Sequence, residues 1–156
     1  MHEYQATISW ERSTIDSSLR RYSRAHTWTF DGGLAVPASA SPHIVPPPYS
    51  VAAAIDPEEA FVASLSSCHM LWFLDIATQR GFRVESYVDN AVGVMAKNES
   101  GKIAITHVRL RPEATFAGDK LPTVAEIDAL HHSAHEECFI ANSVKTEVRC
   151  EPIHVA

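Results

Sequence analysis

The stretch Asp56–Arg80, DPEEAFVASLSSCHMLWFLDIATQR, decides the fold. It reads as the longest helix of the chain. Asp56 is a good N-cap, because its carboxylate can accept from a first-turn amide that has no helical partner. Pro57 follows at N1, where a missing N–H costs nothing. Glu58 and Glu59 place negative charge at the positive end of the helix dipole, and Glu59 at N3 completes a capping-box pattern. Phe61, Leu65, Cys68, Trp72 and Ile76 recur at spacings of four, three, four and four, which predicts an apolar stripe on one face. Ser64, Ser66 and Ser67 are small enough to let another element approach closely. Gly81 supplies the stop.

Working outward, the N-terminal part is strand-like. Tyr4, Ala6, Ile8 and Trp10 alternate with Gln5, Thr7 and Ser9, which predicts a half-buried strand. Glu11–Ser18 is polar and reads as loop. Arg24, His26, Trp28 and Phe30 form a second alternation, and Asp31-Gly32-Gly33 is a hairpin signal before a short strand over Leu34–Ala38. Ser39–Ala54, with Pro42, Pro46, Pro47 and Pro48, reads as a rigid extended loop leading into the helix. Beyond the helix, Phe82–Lys97 and Lys102–Phe116 are rich in Val, Ile, Tyr and Thr. They flank Asn98–Gly101, so a long β-hairpin is expected, with its second strand kinked or edge-exposed at its end by Pro112. Thr123-Val-Ala-Glu126 is a second capping box. Val124, Ile127, Leu130, Ala134 and Cys138 make the apolar face of the helix it opens. A last strand covers Val144–Cys150. No internal repeat is visible.

The expected architecture is therefore α+β, one domain over residues 1–156. The formal charge of −6 argues against nucleic acid or an anionic membrane as a general partner. No secretory leader pattern and no bilayer-length apolar run are read in the sequence. Three cysteines, at 68, 138 and 150, do not make a disulfide framework and fit a reducing, cytoplasmic setting.

Cys68, mid-stripe, can be a small buried hydrophobe or a reactive thiol. A reactive cysteine needs a cation or a helix N-terminus beside it. Cys68 lies about eleven residues into its helix, too far for the dipole to help, since that effect fades within the first turn. Arg24, at the start of the second strand, is the candidate cation. Arg20 and Arg21 read as loop.

The words DPEEAFVASLSSC, ending at Cys68, and CFIANSVKTEV, starting at Cys138, resemble the OsmC/Ohr family of organic hydroperoxide reductases. The resemblance runs over most of the chain. It implies an OsmC-like fold with two central helices in an intertwined homodimer, with two active sites at the interface. It implies a peroxidatic Cys68, a resolving Cys138, Glu58 as the family's glutamate, and Arg24 as the supporting arginine. It also implies a thiol-dependent peroxidase that turns organic hydroperoxides into alcohols through a Cys68 sulfenic acid and a Cys68–Cys138 disulfide. A lipoyl-type dithiol or a small thiol would be the reductant, with no cofactor. Phe61, Leu65, Trp72 and Phe139 are expected to line an apolar substrate pocket. His69–Phe73 and the proline-rich stretch depart from the common pattern and mark a separate branch. Cys150 has no family role and reads as core.

Two other readings compete. A redox sensor or binding module can sit on the same fold. A metal site is the other: His131, His135 and Cys138 share a helix face at i, i+4 and i+7, with His69 or Cys68 as a fourth ligand. A triplet on one helix, with no paired C-x-x-C, specifies a site loosely, and no metal is assigned from it. The roles of His131, His132 and His135 are left open. A Cys68–His69 hydrolase is disfavoured, because adjacent helical residues point about 100° apart.

Overall fold

The computed structural model describes residues 1–12 and 19–154. Most of the expected loop Glu11–Ser18 lies outside them. The chain forms two compact units, 1–60 and 61–156.

The first unit holds a three-stranded antiparallel sheet of β1 (Ala6–Ser9), β2 (His26–Phe30) and β3 (Ala35–Ala38), in that order. Ile8 opposes Trp28, and Trp28 opposes Val36. The alternation around Trp28 is real: its indole N–H donates to His26 Nε2 at 2.9 Å, the i,i+2 contact of two side chains on one face. β1 is shorter than the pattern predicted and exposed throughout, because it is an edge strand that no element of this unit covers. Arg24 precedes β2 rather than opening it, and its amide is held by the Tyr49 carbonyl at 2.8 Å. The proline-rich loop folds through turns and returns to β3, where Ser39 and Pro37 exchange backbone bonds with Ile55. That pairing delivers the chain to Asp56.

Helix α1 (Pro57–Gln79) begins and ends as its sequence dictates. Asp56 Oδ1 accepts from the Glu59 amide at 2.7 Å, and Glu59 Oε2 accepts from the Asp56 amide at 3.2 Å. At the other end Gly81 has φ +80°, Phe82 N–H reaches Ala77 O and Gly81 N–H reaches Thr78 O, both at 2.9 Å. This paired closure needs a left-handed residue, which glycine supplies without steric cost.

In the second unit the expected long hairpin is split in two. β4 (Arg83–Asp89) pairs with β7 (Pro112–Ala117), and β5 (Val92–Lys97) pairs with β6 (Ile103–Leu110). Asp89 marks the break: Oδ1 accepts from the Arg111 amide at 2.6 Å and Oδ2 from Ser66 Oγ of α1 at 2.5 Å. Pro112 is the kink the sequence predicted, although it is buried. β8 (Glu147–Cys150) joins β6 in parallel, with Cys150 opposite Leu110. Helix α2 (Val124–Glu137) carries the predicted Thr123–Glu126 capping box.

Two apolar clusters meet along α1. One joins Phe73, Ala77 and Phe82 to Leu130 and Ala134 of α2, flanked by Val84, Tyr87, Ala114 and Phe116. The other joins Leu65 to Val108 and Leu110, flanked by Phe61, Val62 and Val148. The fully buried line of α1 is therefore Leu65, His69, Phe73 and Ala77, a step round from the expected stripe. Cys68, Trp72 and Ile76 lie along its margin, half-buried. On α2 the inward residues include Leu130, His131 and Ala134, whereas Val124 is exposed. By length and composition α1 is apolar enough to cross a bilayer, which corrects the expectation that no such run exists. Its buried line, Leu65, His69, Phe73 and Ala77, packs inside this unit.

Gly93 of β5 marks where α1 presses closest to the sheet. A Cβ there would stand 2.6 Å from Val62 Cγ2, with Ile105 and Val108 behind it. Val62 is short and stiff at χ1 and cannot swing aside. Gly93→Ala is therefore expected to destabilise the fold by about 1–3 kcal/mol, the usual cost of overpacking. Gly32→Ala, where nothing lies within 4 Å, should stay within roughly 0.5 kcal/mol. Equilibrium urea unfolding of the two variants checks this contrast.

Candidate active site

Cys68 is half-buried on the margin of α1 and opens onto a concavity of about 520 Å³. Ser64, Ser67, Leu71, Trp72, Asp75 and Phe139 form the rest of its lining. Trp72 and Phe139 meet edge to face, with centroids 5.3 Å apart at 82°, an arrangement aromatic quadrupoles favour. Of the four expected pocket residues, these two line the concavity. Leu65 is fully buried in the core and Phe61 packs against the same cluster. The wall they were expected to form is made instead by Leu71, Asp75, Ser64 and Ser67.

Cys138 caps the C-terminus of α2 and is 1% exposed. Cys68 is near enough to perturb its thiol. Burial pushes the Cys138 thiol up to about 11; the Ala141 amide, 3.4 Å from Sγ, pulls the other way, and Cys68 raises it further. At neutral pH Cys138 is therefore a protonated thiol next to a more accessible partner. All described cysteines are free. The arrangement suits a sequence of events in which Cys68 meets a reagent first and Cys138 follows.

Arg24 and Glu58 belong to residues 1–60. The Arg24 guanidinium donates to the Tyr22 carbonyl at 2.6 Å and lies 3.7 Å above the Tyr22 ring. Glu58 is half-buried in the first turn of α1. Among the described residues no ion pair engages either side chain. α1 is unbroken from Pro57 to Gln79, so ten residues separate Glu58 from Cys68 by about 15 Å along the axis.

Sequence reasoning offered His69 only as a fourth ligand beside Cys138 and missed Cys150. The metal reading grouped His131 and His135 with Cys138, but Cys138 pairs with Cys68. His131 meets His69 at 3.0 Å, and Cys150 approaches His69 at 3.6 Å. Cys150, read as plain core, has a polar neighbour. The signal available was the i,i+4 line through Leu65, His69, Phe73 and Ala77, which is invisible if histidine is scored as polar.

The fold and the paired thiols define an α+β protein of the OsmC-like class. Residues 50–152 match the family model described as OsmC-like protein, and the chain belongs to that family. It is 56% identical to an OsmC-like protein of unknown function from Vibrio cholerae, covering 98% of this chain and 100% of that one, with a TM-score of 0.96. An organic hydroperoxide resistance protein from Elizabethkingia anophelis shares the fold at 16% identity, 97% and 94% coverage and a TM-score of 0.70. The organic hydroperoxide resistance protein OhrB of Bacillus subtilis does so at 19% identity, 97% and 98% coverage and 0.68. No curated protein is significantly similar.

The thiol geometry predicts that mild oxidation links Cys68 to Cys138 within one chain. Peptide mass spectrometry should find that link in protein migrating as a single chain on a non-reducing gel. A Cys68–Cys68 link between chains, or a link through Cys150, would contradict it.

Proposed function

We propose that the protein is a cytoplasmic, thiol-dependent peroxidase for organic hydroperoxides, acting as one functional domain over residues 1–156. The observation that supports this best is the Cys68–Cys138 pair at the edge of an apolar concavity. In this reading the Cys68 thiolate attacks the terminal peroxide oxygen. The O–O bond breaks, the alcohol leaves with a proton, and Cys68 becomes a sulfenic acid. The Cys138 sulfur then attacks Cys68, the S–O bond breaks, water leaves and a disulfide forms. A dithiol, of lipoyl type or a small thiol, returns both sulfurs to thiols by exchange. As written the reaction uses no cofactor. The apolar lining by Leu71, Trp72 and Phe139 favours alkyl over hydrogen peroxide, since only the former has apolar surface to bury. Relatives described as organic hydroperoxide resistance proteins support the same chemistry.

Cys68→Ser is expected to abolish turnover of cumene hydroperoxide with a dithiol, because a hydroxyl forms no sulfenic acid. Cys138→Ser should react once and then stall. A wild type that oxidises once and never turns over would instead be a sensor on this fold.

Arg24 and Glu58 complete the proposal, with Arg24 holding the thiolate and Glu58 orienting Arg24. The 15 Å helical spacing is too long for a carboxylate to serve the cysteine of its own helix, so Glu58 is assigned to Cys68 of a second copy in a homodimer. The outward serines of α1 permit the required close approach. A mixed dimer tests this, one chain carrying Glu58→Ala and the other Cys68→Ser. Action between chains leaves one intact site and about half the activity. Action within a chain leaves both sites defective.

A further inference from the structure

A second cluster of donors lies on the opposite side of α1 from the concavity. His69 is 1% exposed and His131 is 3% exposed. His69 Nε2 stands 3.0 Å from His131 Nδ1 and 3.6 Å from Cys150 Sγ. The ligating atoms of the three residues all lie within 4.8 Å of one another. They come from three elements, α1, α2 and β8. We propose that His69, His131 and Cys150 form a binding site for a thiophilic divalent transition ion, zinc in the first place, separate from the Cys68–Cys138 pair.

The spacing fits. Bonds of roughly 2.0–2.1 Å to nitrogen and about 2.3 Å to sulfur put neighbouring donors of a tetrahedral ion roughly 3.3–3.6 Å apart. The His69–Cys150 distance is already there, the His–His distance needs a few tenths of an ångström, and His131 and Cys150, within 4.8 Å, close round the ion. The donor set is two imidazoles and a thiol, which suits zinc and not the oxygen-seeking magnesium or calcium.

As a purely structural pair, the two imidazoles are poorly satisfied. If His69 Nε2 donates, the proton of His131 must sit on its Nε2. If His131 Nδ1 donates, the proton of His69 must sit on its Nδ1. Both of those outer atoms are buried without a partner, so either tautomer strands one N–H, which costs more than the single bond made. An ion sends both protons outward. That strands one more N–H, against three coordination bonds gained.

Binding replaces the S–H bond of Cys150 by S–Zn and releases one proton. His135, one turn beyond His131 with a buried, unpartnered Nδ1, is the candidate fourth ligand.

The test uses untagged, reduced, chelator-stripped protein titrated with Co²⁺ and then Zn²⁺. One ion per chain is expected, with a thiolate-to-cobalt charge-transfer band that Zn²⁺ removes and one proton released per ion. Cys150→Ser should abolish that band, and it and His131→Gln should each weaken Zn²⁺ binding at least tenfold. Cys68→Ser and Cys138→Ser should leave band and affinity unchanged. X-ray absorption on zinc-loaded wild type, which needs no variant to fold, should show one sulfur neighbour with nitrogens. Two sulfur neighbours, a band lost with Cys68 or Cys138 but kept without Cys150, or no binding at micromolar Zn²⁺ would each overturn the proposal.

Discussion

A histidine in the middle of the buried face of α1 is the constraint on which the larger unit depends. A polar ring placed between two apolar clusters needs partners at that depth. His69 finds them in His131 of α2 and Cys150 of β8. Phe73 stacks on His131, with centroids 4.2 Å apart, and so carries the same contact into the neighbouring cluster. The contact draws on both helices and the last strand, and it sets the rotation of α1. Once His69 points inward, Cys68 must point about 100° away, toward the margin. The accessibility of Cys68 is thus a geometric consequence of burying its neighbour.

The three cysteines divide by depth and company. Cys68 is half-open to a concavity, and Cys138 is sealed beneath it with a thiol held protonated by burial. Cys150 is on the far side of α1, facing imidazoles. Buried thiols are poor nucleophiles and exposed ones oxidise without control. In the reaction proposed above, that difference in depth would let Cys138 act only after Cys68 has changed.

Local chemistry was legible in the sequence wherever one element settled it. The Asp56–Glu59 and Thr123–Glu126 boxes, the Gly81 stop and the Asn98–Gly101 turn depend on residues three to five apart, and each is found as read. What escaped depends on residues far apart in the chain. The hairpin splits at Asp89 because Ser66, 23 residues earlier, and Arg111, 22 residues later, both bind its carboxylate. The buried line of α1 is displaced from the hydrophobic stripe and includes His69, whose hydrogen-bond partner is 62 residues away. A single-helix pattern carries no record of that partner. For the same reason the pairing of Cys68 with Cys138 came from family resemblance, and the company of Cys150 was missed. Phe61 and Leu65 were placed in the pocket because they share a stripe with Cys68, yet a shift of one position sends them to the core.

The outward face of α1 remains to be accounted for. Its inner line packs two clusters, yet the helix is still apolar enough overall to pass for a membrane span. Leu71 is 60% exposed and Phe139 beside it 67%. An apolar surface left open around Cys68 is costly in water, at about 25 cal/mol per Å². A membrane would cover the helix but would also have to accept Asp75, which lines the same concavity. A second protein surface accepts a carboxylate at its rim and apolar groups at its centre. The small side chains at Ser64 and Ser67 remove the steric barrier to a helix arriving there. In the dimer proposed above, a second copy covering this face would bring a first-turn Glu58 with it.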